Sequence, residues 1–272
     1  MSELEDIPYS RSDTIAAIGD FYKFLTEVYL KDLRVIHPPT EGWPSIVDAD
    51  PTLLESFGKS DEVMSLLAHL PYIHSPGNSK EQQVGPNCVF ADWQRLLAQP
   101  SSGWSTGDEL RIITEGPEFT KFATSSHAVG LTYGSRETPV MVLDTRLGVV
   151  HWHDCPDAIE RTHGADAVGY EADDDVPMDE ENWRSDACTW AIPDFFEVLK
   201  DLFRTLHWFP VRPYQVWSAS FTDDDGNAVR LVQDIYRQQG WPNLARYRKT
   251  ECLAAVRRAL EDKYPSLADS GE

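Results

Sequence analysis

The sequence predicts an α+β fold in which a small antiparallel sheet is covered by helices. Three patterns indicate it: helical spacing of apolar residues towards both ends of the chain, a two-residue period between 108 and 153, and a hairpin inside that region. In the hairpin, an apolar run at 140–143 precedes a turn from Asp144 to Gly148 and a return strand through Trp152. With 272 residues, the chain can bury a core without a disulfide or a metal.

The first hundred or so residues predict three helices. Ser12 and Asp13 are candidate caps for a helix at 12–30, in which apolar residues recur every three or four positions. A second helix is expected at 60–70, where a proline follows and stops it. Residues 91–98 predict a short third helix.

The middle of the chain predicts a four-stranded antiparallel meander. Its strands are expected at 110–114, 128–133, 140–143 and 149–153, because turn residues separate these runs. The run at 140–143 is apolar at every position, which is typical of a central strand covered on both faces.

The last part of the chain predicts three more helices. A proline in the first turn and a regular apolar stripe indicate a helix at 193–207. Two further helices are expected at 227–239 and 250–263. We interpret 1–226 as one α+β domain and 227–272 as a C-terminal helical extension packed on the same domain.

The charge of the chain disfavours two classes of partner. A formal net charge of -21 repels phosphate backbones and anionic headgroups, so neither nucleic-acid nor membrane-surface binding is expected. The charge is uneven, because residues 227–263 carry eight Lys and Arg against four acids. This segment is interpreted as a solvated helix face, with docking on the acidic body as the alternative.

Cysteine usage and the N-terminus point to an intracellular protein. The four cysteines are scattered and follow no disulfide or zinc-finger spacing. The first nine residues are acidic and have no apolar signal region, and no apolar run approaches membrane length. The expected localisation is therefore cytoplasmic or nuclear, not secreted.

The sharpest chemical signal is the pair His151 and His153. Side chains at i and i+2 of a strand point the same way, so both imidazoles can reach one metal ion. Asp154, Cys155, His163 and His207 are the candidate third ligands. Such a site predicts a divalent metal and a metal-dependent enzyme. The alternative is two partly exposed strand histidines beside the core.

The acidic segment 154–186 is the second candidate site. It contains 12 Asp and Glu residues against two Arg, which predicts a mobile surface insertion. Asp173, Asp174, Asp175 and Trp183 are the candidate partner-binding residues, and their charge fits a protein partner with a basic face.

Residues 103–107 match the Gly-x-Ser-x-Gly pattern of a hydrolase nucleophile elbow. That elbow needs a strand before the serine and a helix after it. Here a helix precedes the motif and the strand predicted at 110–114 follows it. The pattern is therefore interpreted as an ordinary loop. A further alternative is a small-molecule pocket between the sheet and the helices.

The hairpin and the helix after the acidic segment resemble the distal half of SUKH-superfamily domains. The matching residues are Val142-Leu143-Asp144, Gly148-Val149-Val150 and the stretch 192–199. The helix at 60–70 can take the place of an earlier family helix, although the family's Asn-Gly or Asp-Gly ending is absent here. SUKH domains are typically binding modules, linked in fungi to regulation of cell-wall synthesis and in bacteria to immunity against toxins.

Nearly the whole chain also resembles a group of uncharacterised fungal proteins. The shared phrases are Gly42-Trp43-Pro44, His69-Leu70-Pro71-Tyr72-Ile73, Gly240-Trp241-Pro242 and Tyr247-Arg248-Lys249-Thr250-Glu251-Cys252. Together the two resemblances imply a non-enzymatic intracellular protein-binding or regulatory module without a cofactor. The alternative is the metal-dependent enzyme that uses His151 and His153.

Overall fold

A computed structural model describes most of the chain and has the predicted α+β fold. The described residues are 7–75, 80–98, 106–117, 126–164, 167–168, 187–221 and 226–269. The helices are α1 Arg11–Val28, α2 Pro44–Val47, α3 Pro51–Phe57, α4 Asp61–His69, α5 Trp93–Leu96, α6 Gly107–Glu115, α7 Asp157–His163, α8 Ile192–Arg204, α9 Asn227–Gln238, α10 Lys249–Lys263 and α11 Pro265–Asp269. The strands are β1 Val35–Ile36, β2 Tyr72–Ile73, β3 Gln83–Gly85, β4 Cys88–Val89, β5 Ala128–Gly130, β6 Val140–Asp144, β7 Val149–His153, β8 Ala187–Ala191, β9 Trp208–Arg212 and β10 Gln215–Ser218.

The main sheet has four antiparallel strands in the order β5-β6-β7-β8. As predicted, β6 is an inner strand. There are also three two-stranded antiparallel sheets among the described residues: β1 with β2, β3 with β4, and β9 with β10. The sequence did not predict β8, which pairs with β7 along its whole length from Val149 opposite Ala191 to His153 opposite Ala187.

The strand predicted at 110–114 is wrong, because these residues form helix α6. Thr106 and Glu109 make a capping box: the Thr106 hydroxyl accepts from the Glu109 backbone N–H, and the Glu109 carboxylate accepts from the Thr106 N–H. Leu110 is fully buried, and Ile112 is 49% exposed. The cap and the helical burial pattern thus override the strand preference of β-branched residues.

One face of the main sheet points into the large core. Its side chains include Met141, Leu143, Val150, Trp152 and Trp190, all of them fully or almost fully buried. Helix α8 covers this face, with the rings of Trp152 and Phe195 6.3 Å apart, and α1 packs on α8. Such aromatic pairs bury large apolar areas, so this face contributes mainly to stability.

The opposite face of the main sheet is partly covered by α6. Ala128 and Val142 form a second, smaller apolar cluster there, with Val140 packed against it. His151 and His153 lie on this face too, because they alternate with Val150 and Trp152 along β7. The two predicted imidazoles therefore point away from the large core, towards the α6 side.

The C-terminal helices are bonded to the rest of the fold through side chains that donate to backbone carbonyls. The Trp241 indole donates to Phe203 O at 3.0 Å, beside the end of α8. Tyr247 donates to Val28 O at 3.0 Å, and Lys249 donates to Leu30 O at 2.6 Å, both at the end of α1. These contacts satisfy carbonyls that a helix end leaves without intrahelical partners. Trp241, Tyr247 and Lys249 therefore anchor the C-terminal helices to the ends of α1 and α8.

The segments Gly42-Trp43-Pro44 and 69–73 also pack together. Trp43 N–H donates to Ala68 O at 2.9 Å, and its indole donates to Leu70 O at 2.8 Å. The rings of Trp43 and Tyr72 are 6.1 Å apart. These residues hold α2 against the end of α4, so both segments have a structural role.

Helix bounds differ from the predictions in small but explicable ways. Ser10, rather than Ser12 or Asp13, caps α1 by accepting from the Asp13 N–H. Helix α8 ends at Arg204, before the predicted limit, because Leu206 adopts a positive φ of 59° while its side chain stays buried. Among the described residues, no helix is long and apolar enough to cross a membrane.

The predicted insertion 154–186 begins as a helix instead. Residues 157–163 form α7, in which Ile159 is buried and the carbonyl of His163 accepts the Trp190 indole N–H at 3.2 Å. That part is therefore packed on the sheet. Residues 165–166 and 169–186 lie outside the described residues, so the rest of this prediction is not addressed.

Candidate functional site

A cavity of about 830 Å³ lies between α6, the loop that joins β5 to β6, and the end of β7. Its apolar lining comes from Ile112, Ile113, Pro117, Pro139 and Val140. Its polar lining comes from Glu109, Glu115, Thr132, Ser135, Arg136, Thr138, His153 and Asp154. Since Ile112 and Asp154 are also exposed, the mouth of the cavity lies at the surface.

Two glycines fix the position of α6, which forms one cavity wall. A Cβ on Gly107 would lie 2.0 Å from the backbone nitrogen of Phe57, so the start of α6 approaches α3 closely. A Cβ on Gly130 would lie 2.2 Å from Thr114 O, so the end of α6 approaches β5 equally closely. Only a residue without a side chain permits such backbone approaches.

A buried ion pair lies beneath the cavity. Lys59 Nζ is 2.6 Å from Glu115 Oε1, and the two side chains are 1% and 0% exposed. Burial raises the pKa of Glu115, while Lys59 and the Gly130 backbone N–H oppose that rise by stabilising the carboxylate. Burial also lowers the pKa of Lys59, against the pull of Glu115. The pair holds α6 to the loop between α3 and α4.

Sequence reasoning missed both members of this pair. Lys59 and Glu115 are far apart along the chain. Residues 110–114 were predicted as a strand, so the position of Glu115 at the end of a helix was not recognised. Nothing in the sequence around Lys59 or Glu115 marks them as buried, because most Lys and Glu residues lie at the surface. A signal was available only for α6 itself, in the Thr106 and Glu109 capping box.

The two strand histidines have different surroundings. His151 is 1% exposed, and its Nδ1 lies 2.8 Å from the Thr189 hydroxyl on β8. His153 is half-buried and lines the cavity next to Asp154, whose φ is 50°. The prediction that both imidazoles share one face of the strand is consistent with this arrangement.

The other candidate third ligands, Cys155, His163 and His207, have neighbours of their own. Cys155 hydrogen-bonds Cys188, and His163 Nε2 is 3.6 Å from Asp201. Burial, followed by the nearby His163, lowers the pKa of His207. Within the described ranges, no group of three or more His, Cys, Asp or Glu side chains is arranged to hold a metal ion. The metal site remains a prediction, with His151, His153 and Asp154 as its members.

The other predicted sites lie wholly or partly outside the described residues. Asp173, Asp174, Asp175 and Trp183 all lie outside the described residues. The Gly-x-Ser-x-Gly pattern is described only from its fourth residue onwards, where a helix follows rather than the predicted strand. That part of the reason for rejecting an elbow was therefore wrong.

No protein-family model, curated protein or solved structure matches this chain. The SUKH-like and fungal resemblances therefore stay predictions.

Proposed function

We propose that this chain is a non-enzymatic binding protein and that the cavity beside α6 receives a small amphipathic organic molecule. The observation that supports the proposal is the cavity itself, because about 830 Å³ falls within the range of about 300–1,000 Å³ typical of ligand sites. Ile113 and Val140 give it apolar walls, and His153 brings a polar group to one side.

The distribution of charge favours a ligand with an apolar body and one polar end. The mouth carries both signs, with Arg136 against Glu109 and Asp154, so it does not select strongly for an ion. Glu115 is paired with Lys59, which neutralises the charge at the base of the cavity. Apolar walls beside a polar edge orient such ligands.

The same ion pair argues against acid-base catalysis by the buried carboxylate. A general base has to reach the proton it abstracts, and Glu115 instead contacts Lys59 at 2.6 Å. Its role is better explained as support for α6. A binding function requires only the cavity shape and its polar edge, and both are present among the described residues.

A titration with Nile red, a neutral hydrophobic dye, tests the proposal. A neutral probe is chosen because the net charge of -21 repels anionic dyes. We expect saturable fluorescence with one site per chain. Ile112→Asp should weaken binding roughly tenfold or more, because it places a charge on an apolar wall.

The matched control is Val47→Asp, since Val47 is 57% exposed on α2, whereas Ile112 is 49% exposed on α6. Val47 does not line the cavity, so this variant should bind the dye as the unaltered protein does. Absence of saturable binding, or equal loss in both variants, would contradict the cavity proposal.

The acidic segment supports a second candidate function, recognition of a basic protein partner. Residues 154–186 carry 12 acids, a density that attracts basic surfaces. A pull-down with the full chain, compared with a deletion of 169–186, tests this role. The deletion must spare α7, because Ile159 and His163 pack on the sheet. Unchanged recovery of basic partners would exclude this segment as the contact.

The third candidate function is a metal-dependent enzyme, because His153 and Asp154 both line the cavity. Elemental analysis of the purified chain tests it. Stoichiometric zinc, iron or manganese that is lost in the His151→Ala, His153→Ala double variant would favour this alternative over a metal-free binding protein.

A further inference from the structure

Two of the four free cysteines are in contact. Cys155 follows β7 by two residues, and Cys188 lies on β8 directly opposite Trp152. Their thiols hydrogen-bond each other. Both are partly exposed, whereas Cys88 and Cys252 are buried. Small thiol reagents can therefore reach the contacting pair far more readily than the other two cysteines.

The position of the pair suits formation of a covalent bond. A disulfide requires two sulfurs that can approach each other, and the thiols of Cys155 and Cys188 are in contact already. Cys188 is fixed by the pairing of β8 with β7, while Cys155 lies in the short connection between β7 and α7. Closure therefore needs only a local movement of Cys155.

We propose that Cys155 and Cys188 form a reversible intramolecular disulfide by exchange with a low-molecular-weight disulfide such as oxidised glutathione. The bond would tie the residue after Asp154, at the edge of the cavity, to β8. This modification site does not depend on whether the cavity binds a ligand.

Either thiol can begin the exchange, because both are partly exposed and the two are in contact. The attacking group is the thiolate, so the exchange is faster at mildly alkaline pH.

The exchange balances in two steps. When Cys188 reacts first, its thiolate attacks one sulfur of oxidised glutathione and forms a mixed disulfide, while the glutathione thiolate that leaves takes up the proton lost by Cys188; the same steps apply with the two cysteines exchanged. Cys155 then loses its proton, attacks the Cys188 sulfur and expels the second glutathione, which takes up that proton. The two protein thiols are oxidised, and one glutathione disulfide is reduced to two thiols.

Peptide mapping tests the proposal on the full chain. Reduced protein is incubated with oxidised glutathione at mildly alkaline pH, alkylated with iodoacetamide and digested with trypsin without reduction. Cleavage after Arg161 and Arg184 separates the two cysteines, so a disulfide is seen as a linked peptide pair. We expect a link between Cys155 and Cys188 that dithiothreitol removes.

Two variants and the buried cysteines provide the controls. Cys155→Ser should stop at a glutathione adduct on Cys188, because no second thiol can displace it. Cys188→Ser should likewise stop at a glutathione adduct, on Cys155. Cys88 and Cys252 should become alkylated only after unfolding.

The proposal is overturned if Cys155→Ser carries the adduct while the unaltered chain never forms the link. It is also overturned if the link joins Cys88 or Cys252 instead. Dye binding reports on the cavity separately, so failure of the disulfide and failure of the cavity proposal give different results.

Discussion

Replacing Glu115 with glutamine would leave the Lys59 ammonium buried without its counter-charge. The two charged atoms are 2.6 Å apart, and their side chains are 1% and 0% exposed, so water cannot replace the lost partner. Removing one member of such a pair costs about 3–5 kcal/mol of unfolding free energy. Lys59→Met should cost a comparable amount at neutral pH, because it removes the counter-charge in direct contact with the buried carboxylate.

The double variant, Lys59→Met with Glu115→Gln, should be far less unstable than the sum of the two single variants. Both charges are then absent, and neither has to be buried without a partner. The difference measures the coupling between the two side chains, which we expect to be several kcal/mol. Urea unfolding of the four proteins, with unchanged dependence on urea concentration, supplies these values.

The pH dependence of Lys59→Met has a definite sign. Burial without Lys59 raises the folded-state pKa of Glu115 further above its usual value of 4.5. The unfolded carboxyl then releases its proton more readily than the folded one at pH values above about 4.5, which destabilises the fold there. The variant should therefore recover stability as the pH falls towards 4.5.

An exposed pair is the control for this experiment. Arg237 and Asp234 are 2.8 Å apart, but their side chains are 55% and 61% exposed. Asp234→Asn should leave the unfolding midpoint unchanged within error, since exposed pairs contribute little. A loss below about 1 kcal/mol for Glu115→Gln would refute the reasoning, because it would mean that water reaches the pair.

Three further variants test the cavity wall, the cavity volume and the acid sensitivity. Gly130→Ala should lower the free energy of unfolding by about 1–3 kcal/mol or more, because its Cβ would lie 2.2 Å from the α6 backbone. Gly19→Ala on α1, where a Cβ meets no atom within 4 Å, should be neutral or stabilising, and urea unfolding measures both variants. Ile113→Trp should fill the cavity, raise the melting temperature slightly and reduce Nile red binding, and unchanged dye binding would show that this side chain does not occupy the site. Burial lowers the folded-state pKa of His207 below 6.5, so the fold should lose stability as the pH falls below 6.5. In urea unfolding at several pH values, His207→Gln should reduce that loss, while His37→Gln at an exposed position should not.

Local patterns predicted α1, α4, α8, α9 and α10, because each of these helices carries its own signal. Ser60 caps α4 by accepting from the Val63 N–H, and the proline after Ile192 lies in the first turn of α8. These features depend on residues within one turn of each other. They are readable without knowledge of the fold, as are the turn that ends β6 and the return strand β7.

The errors occurred where distant contacts decide the structure. Leu110, Ile112 and Thr114 fit a two-residue period, yet the capping box and the close approach to Gly130 favour a helix. Strand β8 was missed because Ala187 to Ala191 is short and partly polar, and it becomes a strand by pairing with β7. Such pairing has no signature within a five-residue window.

The candidate site could be predicted only in outline. The two-residue alternation placed His151 and His153 on one face, and that geometry is present. Their different surroundings follow from Thr189 and from α6, neither of which had been placed on this face. The cavity itself forms only when α6, β6 and the end of β7 meet, so a sequence pattern cannot reveal it.

The two faces of the main sheet suggest why a binding site would be on the α6 side. On the α8 side, Trp152 and Trp190 pack in an aromatic core, and close-packed interiors do not accept a ligand without loss of stability. On the α6 side, a helix of only nine residues covers a sheet that extends beyond it towards His153. Part of that face is thus left as cavity rather than core. The buried Lys59 and Glu115 pair fixes the helix at one end of the opening, so the cavity can be retained without collapse of its wall.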